Sequence, residues 1–354
     1  MQDKILSIVI PTYNMEKFLN RCLDSLIVPE EYMQLLEVLI VNDGSKDSSS
    51  AIAHQYEEKY PSTFRVIDKE NGNYGSCVNR GIDEATGKYF RILDADDRFD
   101  TASLIEFLTY LSSFDADMVV TNFCYTFLDK EDRIGVNLPD KIKFGEIYMV
   151  EDFDFIALGC ESSCCMHALT FKLEVIKAVG MRLQTGISYT DAEYAYFPQS
   201  AVKTVLPLDL CLYLYTRGRE NQTVSPAAMK KGVNDFYKVS RRLVADYADQ
   251  IKQGHSQSTI NNQRILVESV LSPYFMIVLC QTGRSKTEDE RMAELYSIMK
   301  NSDPVLVDHM RKKHFRKLLY YFRVWEKKGK YMTEFPYSVL NKLLARIWSF
   351  LKIA

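Results

Sequence analysis

Acidic side chains are concentrated where a short apolar segment ends. The segment 89–93 is followed directly by the run Asp94-Ala95-Asp96-Asp97, and Asp100 lies close behind it. Carboxylates this close together repel one another at neutral pH unless a divalent cation lies among them. An Asp-x-Asp pattern at a strand end suits Mg²⁺ or Mn²⁺, which take oxygen ligands and keep coordination positions for a diphosphate. The alternative is a solvated acidic turn that caps a helix beginning near Thr101.

Glycine-rich loops that hold phosphates would indicate a second kind of chemistry. The sequence contains neither a Gly-x-x-x-x-Gly-Lys-Ser/Thr motif nor a Gly-x-Gly-x-x-Gly motif. The P-loop and dinucleotide-binding classes therefore lose their main support. The nearest candidate is Gly72-Asn73-Tyr74-Gly75-Ser76, which opens a predicted helix, so its backbone N–H groups can face an anion. Taken alone, this signal is weak, because a Gly-Asn turn is more often only a turn.

Alternating strand and helix signals over the first 125 residues position these groups. Four short apolar segments, at 7–10, 38–41, 64–67 and 89–93, are predicted strands, and helical spacing lies between them. Pro11 is expected to end the first strand, and Asp43 follows the second. Continuously apolar strands that alternate with helices are typical of a sheet covered on both faces. The sequence therefore predicts a doubly wound α/β domain with its chemistry at the carboxyl ends of the strands.

The pattern changes further along the chain. A β-rich stretch runs from about Met118 to Tyr148, and mixed elements follow to Tyr215. Beyond Ser225 the spacing is almost entirely helical, with predicted helices at 227–252, 258–282, 286–300, 304–324 and 337–353. We therefore expect two domains, a catalytic α/β domain at 1–225 and a helical C-terminal domain at 226–354.

Basic residues are concentrated at the C-terminal end of a chain that is otherwise acidic. The whole chain has 44 Lys and Arg against 47 Asp and Glu, a formal net charge of −3, which argues against a nucleic-acid partner. Leu340, Leu344 and Trp348 recur at helical spacing there, with lysine and arginine between them. Such helices bind anionic membrane surfaces, and the alternative is that they pack on the catalytic domain with their lysines in water.

Eight cysteines are scattered along the chain. Neither a signal peptide nor a membrane-spanning apolar segment is recognised, so we expect reduced thiols in a cytoplasmic protein. The basic C-terminal helices would make it peripheral on the inner face of the cell membrane. Cys160, Cys164, Cys165 and His167 are the set nearest to a zinc site. Adjacent cysteines seldom ligate one zinc with good geometry, so the sequence favours simple packing for this set.

Several ordered motifs resemble the family 2 glycosyltransferases of GT-A fold. The resemblance covers roughly residues 5–225 and is carried by Ser7-Ile8-Val9-Ile10-Pro11-Thr12-Tyr13-Asn14, Val41-Asn42-Asp43-Gly44-Ser45, Asn79-Arg80-Gly81, Leu93-Asp94-Ala95-Asp96-Asp97 and Gly186-Ile187-Ser188-Tyr189-Thr190-Asp191. It implies a Rossmann-like, doubly wound mixed sheet. It also implies transfer of a sugar from a nucleotide diphosphate to a hydroxyl, with inversion of the anomeric centre and no covalent intermediate.

The resemblance implies a role for each motif. Asp96, assisted by Asp94, would hold Mn²⁺ or Mg²⁺, and Asp191 would be the general base. The donor would be bound by Pro11, Thr12, Tyr13, Asp43, Asn71, Asp94, Ala95 and Asp96. A carboxylate at Asp43 can accept the imide N–H of uracil, for which adenine has no equivalent, so a UDP-sugar is favoured. The expected enzyme is a hexosyl- or N-acetylhexosaminyl-transferase of cell-surface polysaccharide biosynthesis, with a glycan or lipid-linked acceptor and a homo-oligomer as an open alternative.

Two departures from the family pattern qualify these roles. Many relatives have Glu-Asp where this chain has Thr190-Asp191, and Ala-Arg-Asn where it has Cys77-Val78-Asn79. A basic contact to the diphosphate must therefore come from elsewhere, and Arg217 and Arg219 are the candidates, with a solvated loop as the alternative. Asp191 has an alternative role as the N-cap of the helix that follows it.

Two other functions are compatible with an acidic cluster on such a sheet. A sugar-phosphate nucleotidyltransferase also places carboxylate-bound metal there, but it usually has a glycine-rich basic loop after the first strand, which Pro11-Thr12-Tyr13-Asn14 is not. A non-catalytic glycan-binding protein on the same fold would be expected to have lost some of its acidic motifs, and here they are intact.

Overall fold

The computed structural model describes residues 4–128, 130, 132–218, 222, 223, 225–280 and 285–312. Its strands are β1 Leu6–Thr12, β2 Leu36–Asn42, β3 Phe64–Asp68, β4 Tyr89–Ile92, β5 Arg98–Phe99, β6 Met118–Phe127, β7 Arg133–Val136, β8 Tyr148–Met149, β9 Leu169–Lys172 and β10 Thr204–Arg217. Its α-helices are α1 Leu19–Asp24, α2 Glu30–Met33, α3 Ser49–Lys59, α4 Tyr74–Glu84, α5 Thr101–Ser113, α6 Phe155–Leu158, α7 Leu173–Ala178, α8 Asp191–Tyr196, α9 Pro226–Lys231, α10 Val233–Gln253, α11 Gln257–Cys280, α12 Lys286–Ser302 and α13 Pro304–Lys312.

The ten strands form one mixed sheet. Along its main path the order is β3-β2-β1-β4-β9-β6-β10-β5, and β7 and β8 pair with β6 and β10 outside that path. The pairs β3–β2, β2–β1, β1–β4 and β6–β10 are parallel, whereas β9 runs antiparallel to both β4 and β6. The predicted doubly wound mixed α/β sheet is confirmed.

Burial on both faces explains the apolar strands at the centre of the sheet. Every residue of β1, β2 and β4 is buried. α4 packs against β1 and β2, and α3 packs against β2. The predicted helix at about 76–85 begins two residues earlier than expected. Asn73 has φ 68°, and its side-chain oxygen accepts a hydrogen bond from the backbone N–H of Tyr74 at 2.8 Å, which starts α4 there.

The prediction that Pro11 ends the first strand is wrong. β1 continues through Pro11 to Thr12, where it pairs in register with β2. The pairing of β1 with β4 reaches only Val9 opposite Ile92. Beyond Val9 the β4 side of β1 requires no backbone N–H donor, so a proline fits at this position.

Two compact units divide the chain, Met1–Gln222 with Gly254–Leu266, and Thr223–Gln253 with Val267–Ala354. In the first unit, the Asn262 amide accepts a hydrogen bond from the backbone of Phe155 at 3.0 Å and donates one to Phe153 at 3.1 Å. In the second unit, α10 packs against α12, and the Glu294 carboxylate accepts hydrogen bonds from Tyr237 at 2.6 Å and Arg241 at 2.7 Å.

The basic C-terminal segment cannot be compared with its prediction. Residues 313–354, which contain most of it, lie outside the described residues. None of the helices in the part of the chain that the structure describes combines the length and the apolar character that spanning a lipid bilayer requires.

The expectation that every cysteine is a free thiol is wrong for one pair. Cys124 on β6 and Cys211 on β10 form a disulfide, with their Cα atoms 6.3 Å apart. Spacing could not reveal this pair, because 87 residues separate cysteines that parallel pairing of the two strands brings together. Cys22, Cys77, Cys160, Cys164 and Cys165 are free, as predicted.

Candidate active site

Asp43 organises the loop that follows β3. Its carboxylate is almost completely buried and accepts hydrogen bonds from Lys69 Nζ at 2.6 Å and from the backbone N–H groups of Gly72 at 2.9 Å and Asn73 at 2.8 Å. The Asn71 side chain donates to the Asp43 carbonyl at 2.9 Å. The predicted donor-binding residues Asp43 and Asn71 are thus brought together, at the carboxyl end of β2.

The end of β1 lies beside the same loop. Thr12 is buried, and its hydroxyl donates to the Ile10 carbonyl at 3.1 Å, whereas Tyr13 is 45% exposed. Asn14, with φ 54°, accepts a hydrogen bond from the backbone of Lys46 at 2.8 Å, which ties the two loops together. Tyr13 is therefore the predicted donor-binding residue of this strand end that presents most of its side chain to solvent.

Asp97 is the most deeply buried residue of the run Asp94-Ala95-Asp96-Asp97. Asp97 is fully buried and accepts hydrogen bonds from the Tyr213 hydroxyl at 2.8 Å and the Thr216 backbone at 2.6 Å. Burial raises the pKa of Asp97 well above its ordinary value, and the charges of Asp96 and Asp94 raise it further. The negative charges of Asp94 and Asp96 thus oppose ionisation of Asp97. A bound cation would relieve this repulsion.

Asp94, Asp97 and His167 each offer a ligand atom within 4.8 Å of the other two, and they are a candidate metal site among the described residues. Burial, with the charges of Arg91 and Arg217, lowers the pKa of His167 to about 3, so its imidazole is neutral and able to ligate. Two oxygen donors and one nitrogen donor suit Mn²⁺ better than Mg²⁺, which prefers oxygen ligands alone. His167 therefore faces the acidic cluster. A cysteine-based zinc site has little support in the sequence, and the structure adds none among the described residues. Whether Asp96 ligates remains a prediction.

Tyr74 joins two of the predicted functional carboxylates. Its hydroxyl donates to Asp94 Oδ1 at 3.0 Å. Burial raises the pKa of Tyr74, and the negative charges of Asp94 and Asp191 raise it further. Both carboxylates therefore act on one phenol at the N-terminus of α4.

Asp191 is the first residue of α8, and the N-cap position belongs to Thr190. Burial raises the pKa of Asp191 above its ordinary value, although the backbone N–H groups at the helix start oppose this effect. Tyr189, two residues earlier, has φ 65°, an uncommon conformation for a residue other than glycine. The chain is therefore held in an unfavourable conformation directly before the predicted base.

A set of close contacts links α4 to the segment before α8. A Cβ atom added at Gly75 would lie 2.0 Å from the Gln184 carbonyl oxygen, so α4 approaches that backbone closely. The Asn79 side chain exchanges two 2.8 Å hydrogen bonds with the backbone of Leu183. Glu193, fully buried on α8, accepts from the Gln184 backbone at 2.8 Å and its side chain at 2.7 Å. The Asp191 helix is thus positioned by the same helix that bears Tyr74.

Two arginines near the acidic cluster were missed in the sequence. Arg21 donates to the Asp96 carbonyl at 2.8 Å and the Thr216 hydroxyl at 2.9 Å. Arg91 is fully buried and donates to the Thr170 hydroxyl at 2.6 Å and to the His167 carbonyl. Arg21 lies on α1 and Arg91 inside an apolar strand, so no motif signals either of them.

Of the two arginines expected at the diphosphate, Arg217 is described and Arg219 lies outside the described residues. Arg217 is exposed, and its guanidinium carbon lies 4.0 Å from the ring centroid of Tyr125. Ala95 is buried between Asp94 and Asp96.

Comparisons with known proteins agree with this arrangement. The family model "Glycosyl transferase family 2" matches residues 7–167. An uncharacterised glycosyltransferase of Mycoplasma pneumoniae is 40% identical over 129 residues, which are 35% of this chain and 42% of that protein. The Escherichia coli glycosyltransferase YibD is 25% identical over 344 residues, 92% of this chain and 94% of that protein. The crystal structure of Staphylococcus aureus TarS 1–349 in complex with UDP has a TM-score of 0.60 at 19% identity, covering 92% of this chain and 88% of that one.

The mixed sheet and its likeness to TarS identify the GT-A fold, and the named relatives are glycosyltransferases. The chain therefore has the GT-A fold and is similar in sequence to glycosyltransferases, and it spans less than half the length of the Mycoplasma pneumoniae relative.

Proposed function

We propose that this protein transfers a hexosyl or N-acetylhexosaminyl group from a UDP-sugar to a hydroxyl of a glycan or lipid-linked acceptor, with inversion. The product would be part of a cell-surface polysaccharide. The observation that carries the proposal is at Tyr74, whose hydroxyl donates to Asp94 Oδ1 at 3.0 Å and whose pKa is raised by burial and by the charges of Asp94 and Asp191. A metal-binding carboxylate and a base beside each other are what displacement of a diphosphate by a hydroxyl requires.

The donor's uracil would bind between the end of β1 and the Asp43 loop. The Asp43 carboxylate accepts three hydrogen bonds from Lys69, Gly72 and Asn73. A carboxylate has about four acceptor positions, and the imide N–H of uracil would take one of them. Crystal structures of TarS with UDP and with UDP-GlcNAc support a UDP-sugar as the donor for this fold.

The diphosphate would lie over the acidic cluster. We assign Asp94 and Asp96 as metal ligands, and the geometry adds His167 as a further candidate. A divalent cation held there would neutralise negative charge that develops on the leaving diphosphate. Arg217 or Arg219 would add a basic contact.

Asp191 would accept the proton of the acceptor hydroxyl. Burial raises its pKa and so makes it a stronger base than a solvated aspartate. Glu193 and Gln184 hold α8 in place and so fix the direction of the Asp191 carboxylate. Residues 226–354 are proposed as a separate helical domain, whose basic end would place the enzyme on the inner face of the membrane.

Calorimetric titration of nucleotides tests the donor proposal. We expect UDP to bind in the presence of Mn²⁺ and to bind at least about tenfold more weakly without it, because a cation held by the acidic cluster would neutralise charge on the diphosphate. ADP with Mn²⁺ is the matched control and should bind weakly. Equal binding of ADP and UDP would contradict the assignment of Asp43. Release of pyrophosphate from UTP and a sugar 1-phosphate would instead favour the nucleotidyltransferase.

A further inference from the structure

Four side chains form an aromatic wall at the carboxyl ends of β6 and β10. The wall consists of Tyr125, Tyr215, His167 and Arg217. Tyr215 is its central ring, with its centroid 5.6 Å from that of Tyr125 and 4.7 Å from that of His167. Arg217 lies over Tyr125 at 4.0 Å. Because Tyr125 and Tyr215 are paired across parallel strands, the sheet itself holds the two rings side by side.

The polar ends of the wall make no hydrogen bond or ion pair with the part of the chain that the structure describes. Among the residues that the structure describes, neither the Tyr125 nor the Tyr215 hydroxyl makes a hydrogen bond, and Arg217 makes no ion pair. Other tyrosines around the site differ in this respect. Tyr213 donates to Asp97 at 2.8 Å, and Tyr194 bonds to the Phe90 carbonyl at 3.2 Å. The wall thus combines half-buried rings with unused donors, which is the chemistry of a ligand-binding surface rather than of a packed core.

The wall lies on the acceptor side of the acidic cluster. Its His167 imidazole is within 4.8 Å of Asp94 and Asp97, so it begins at the proposed metal site. The nucleobase residues lie on β1 and β2, on the other side of β4, and the wall lies on β6 and β10, beyond β9. A nucleotide that extends from Asp43 to Asp94 therefore leaves the wall to the second substrate.

We infer that the aromatic wall binds the acceptor through the C–H face of a pyranose ring bearing an anionic substituent, a phosphate or a carboxylate, that pairs with Arg217. The inference rests on the proposed function and names its acceptor class. The positive C–H face of a sugar ring lies well against the negative face of an aromatic ring. Arg217 is the exposed cation of the wall, and its fork of donors suits both anions. Of the two candidate arginines, this leaves Arg219 for the diphosphate.

Saturation-transfer NMR on the full chain, with UDP and Mn²⁺ filling the donor site, tests the inference. The probes are glucose, glucose 6-phosphate and glucuronate. We expect both anionic sugars to bind more tightly than glucose. Tyr125→Ala and Tyr215→Ala should weaken the binding of all three about tenfold, because a stacked ring is lost. Arg217→Gln should abolish the preference for the anionic sugars and leave glucose binding unchanged. Comparison of glucose 6-phosphate with glucuronate shows which of the two anions binds more tightly.

Controls separate this inference from the proposed function. Tyr110→Ala removes a half-buried ring on α5 that contacts Phe114 at 5.9 Å, and it should leave probe binding unchanged. Tyr215→Phe keeps the ring if the alanine variant does not fold, and it should retain most of the binding. Wild-type levels of probe binding in Tyr125→Ala, no probe binding by the wild type, or a tenfold loss of UDP affinity in Arg217→Gln would overturn the inference. Failure of UDP itself to bind would instead count against the proposed function.

Discussion

Asp191→Asn is expected to lower the rate of sugar transfer about 100- to 10,000-fold, the usual contribution of a general base. An amide has nearly the shape of the carboxylate but cannot accept the proton of the acceptor hydroxyl. Asp191 opens α8 in a place fixed by Glu193 and Gln184, so the substitution should leave the helix intact. Steady-state transfer from a UDP-sugar, together with calorimetry of UDP and Mn²⁺, measures both consequences. Binding should be retained while turnover is lost.

The pH profile gives a second readout of the same residue. Burial raises the pKa of Asp191, so the wild-type rate should fall, as the pH is lowered, at a pH above the ordinary aspartate value of about 3.9. Only the ionised form accepts a proton, so activity is present above this pKa and lost below it. Asp209→Asn, an exposed carboxylate of β10, is the control and should behave as wild type. Near-normal transfer by Asp191→Asn would remove the residue from its proposed role.

Gly75→Ala should damage both the fold and the reaction. Its Cβ atom would lie 2.0 Å from the Gln184 carbonyl oxygen and 3.2 Å from Leu183 Cβ, and the backbone of Gln184 has little room to move. We expect a loss of about 1–3 kcal/mol in the free energy of unfolding, the usual result of overpacking. α4 carries Tyr74, and Gln184, which Gly75 approaches, supports α8. A shift of α4 by about 1 Å should therefore also lower turnover about 100-fold.

A matched glycine-to-alanine variant at a less crowded position separates the steric effect from the effect of the substitution itself. At Gly135 on β7, an added Cβ meets first the side-chain oxygen of Asn137 at 2.9 Å, the end of a flexible group. Gly135→Ala should therefore change neither thermal unfolding nor turnover appreciably. If Gly75→Ala also unfolds and reacts like the wild type, the close approach of α4 to the Gln184 segment is not required for catalysis.

Much of the fold follows from local patterns. Apolar runs bounded by Pro, Asn-Asp-Gly and Asp predict β1 to β4 to within two residues, and the runs of β1, β2 and β4 are buried on both faces. The end of β1 was misplaced because the effect of Pro11 depends on how far β4 pairs alongside it, which no local signal contains. The disulfide between Cys124 and Cys211 was missed for the same reason, since it depends on which strands become neighbours.

The candidate site was predictable where a motif carries it. Asp94, Asp96 and Asp191 stand in motifs. The Tyr74 hydroxyl donates to Asp94, and the charge of Asp191 contributes to the raised pKa of Tyr74. His167 precedes β9, some 70 residues after Asp97, and only the antiparallel insertion of β9 between β4 and β6 places it at the acidic cluster. Its sequence neighbours are cysteines, which direct attention to zinc rather than to the carboxylates.

The stereochemistry of donor cleavage tests the central claim most directly, because it needs no knowledge of the acceptor. Proton NMR can follow the slow hydrolysis of α-linked UDP-sugars by the wild-type enzyme with Mn²⁺, with water in place of the acceptor hydroxyl. Direct displacement assisted by Asp191 predicts that the β-anomer of the free sugar appears first, before mutarotation, and that Asp191→Asn produces almost none. First appearance of the α-anomer would contradict an inverting glycosyltransferase and the role proposed for Asp191.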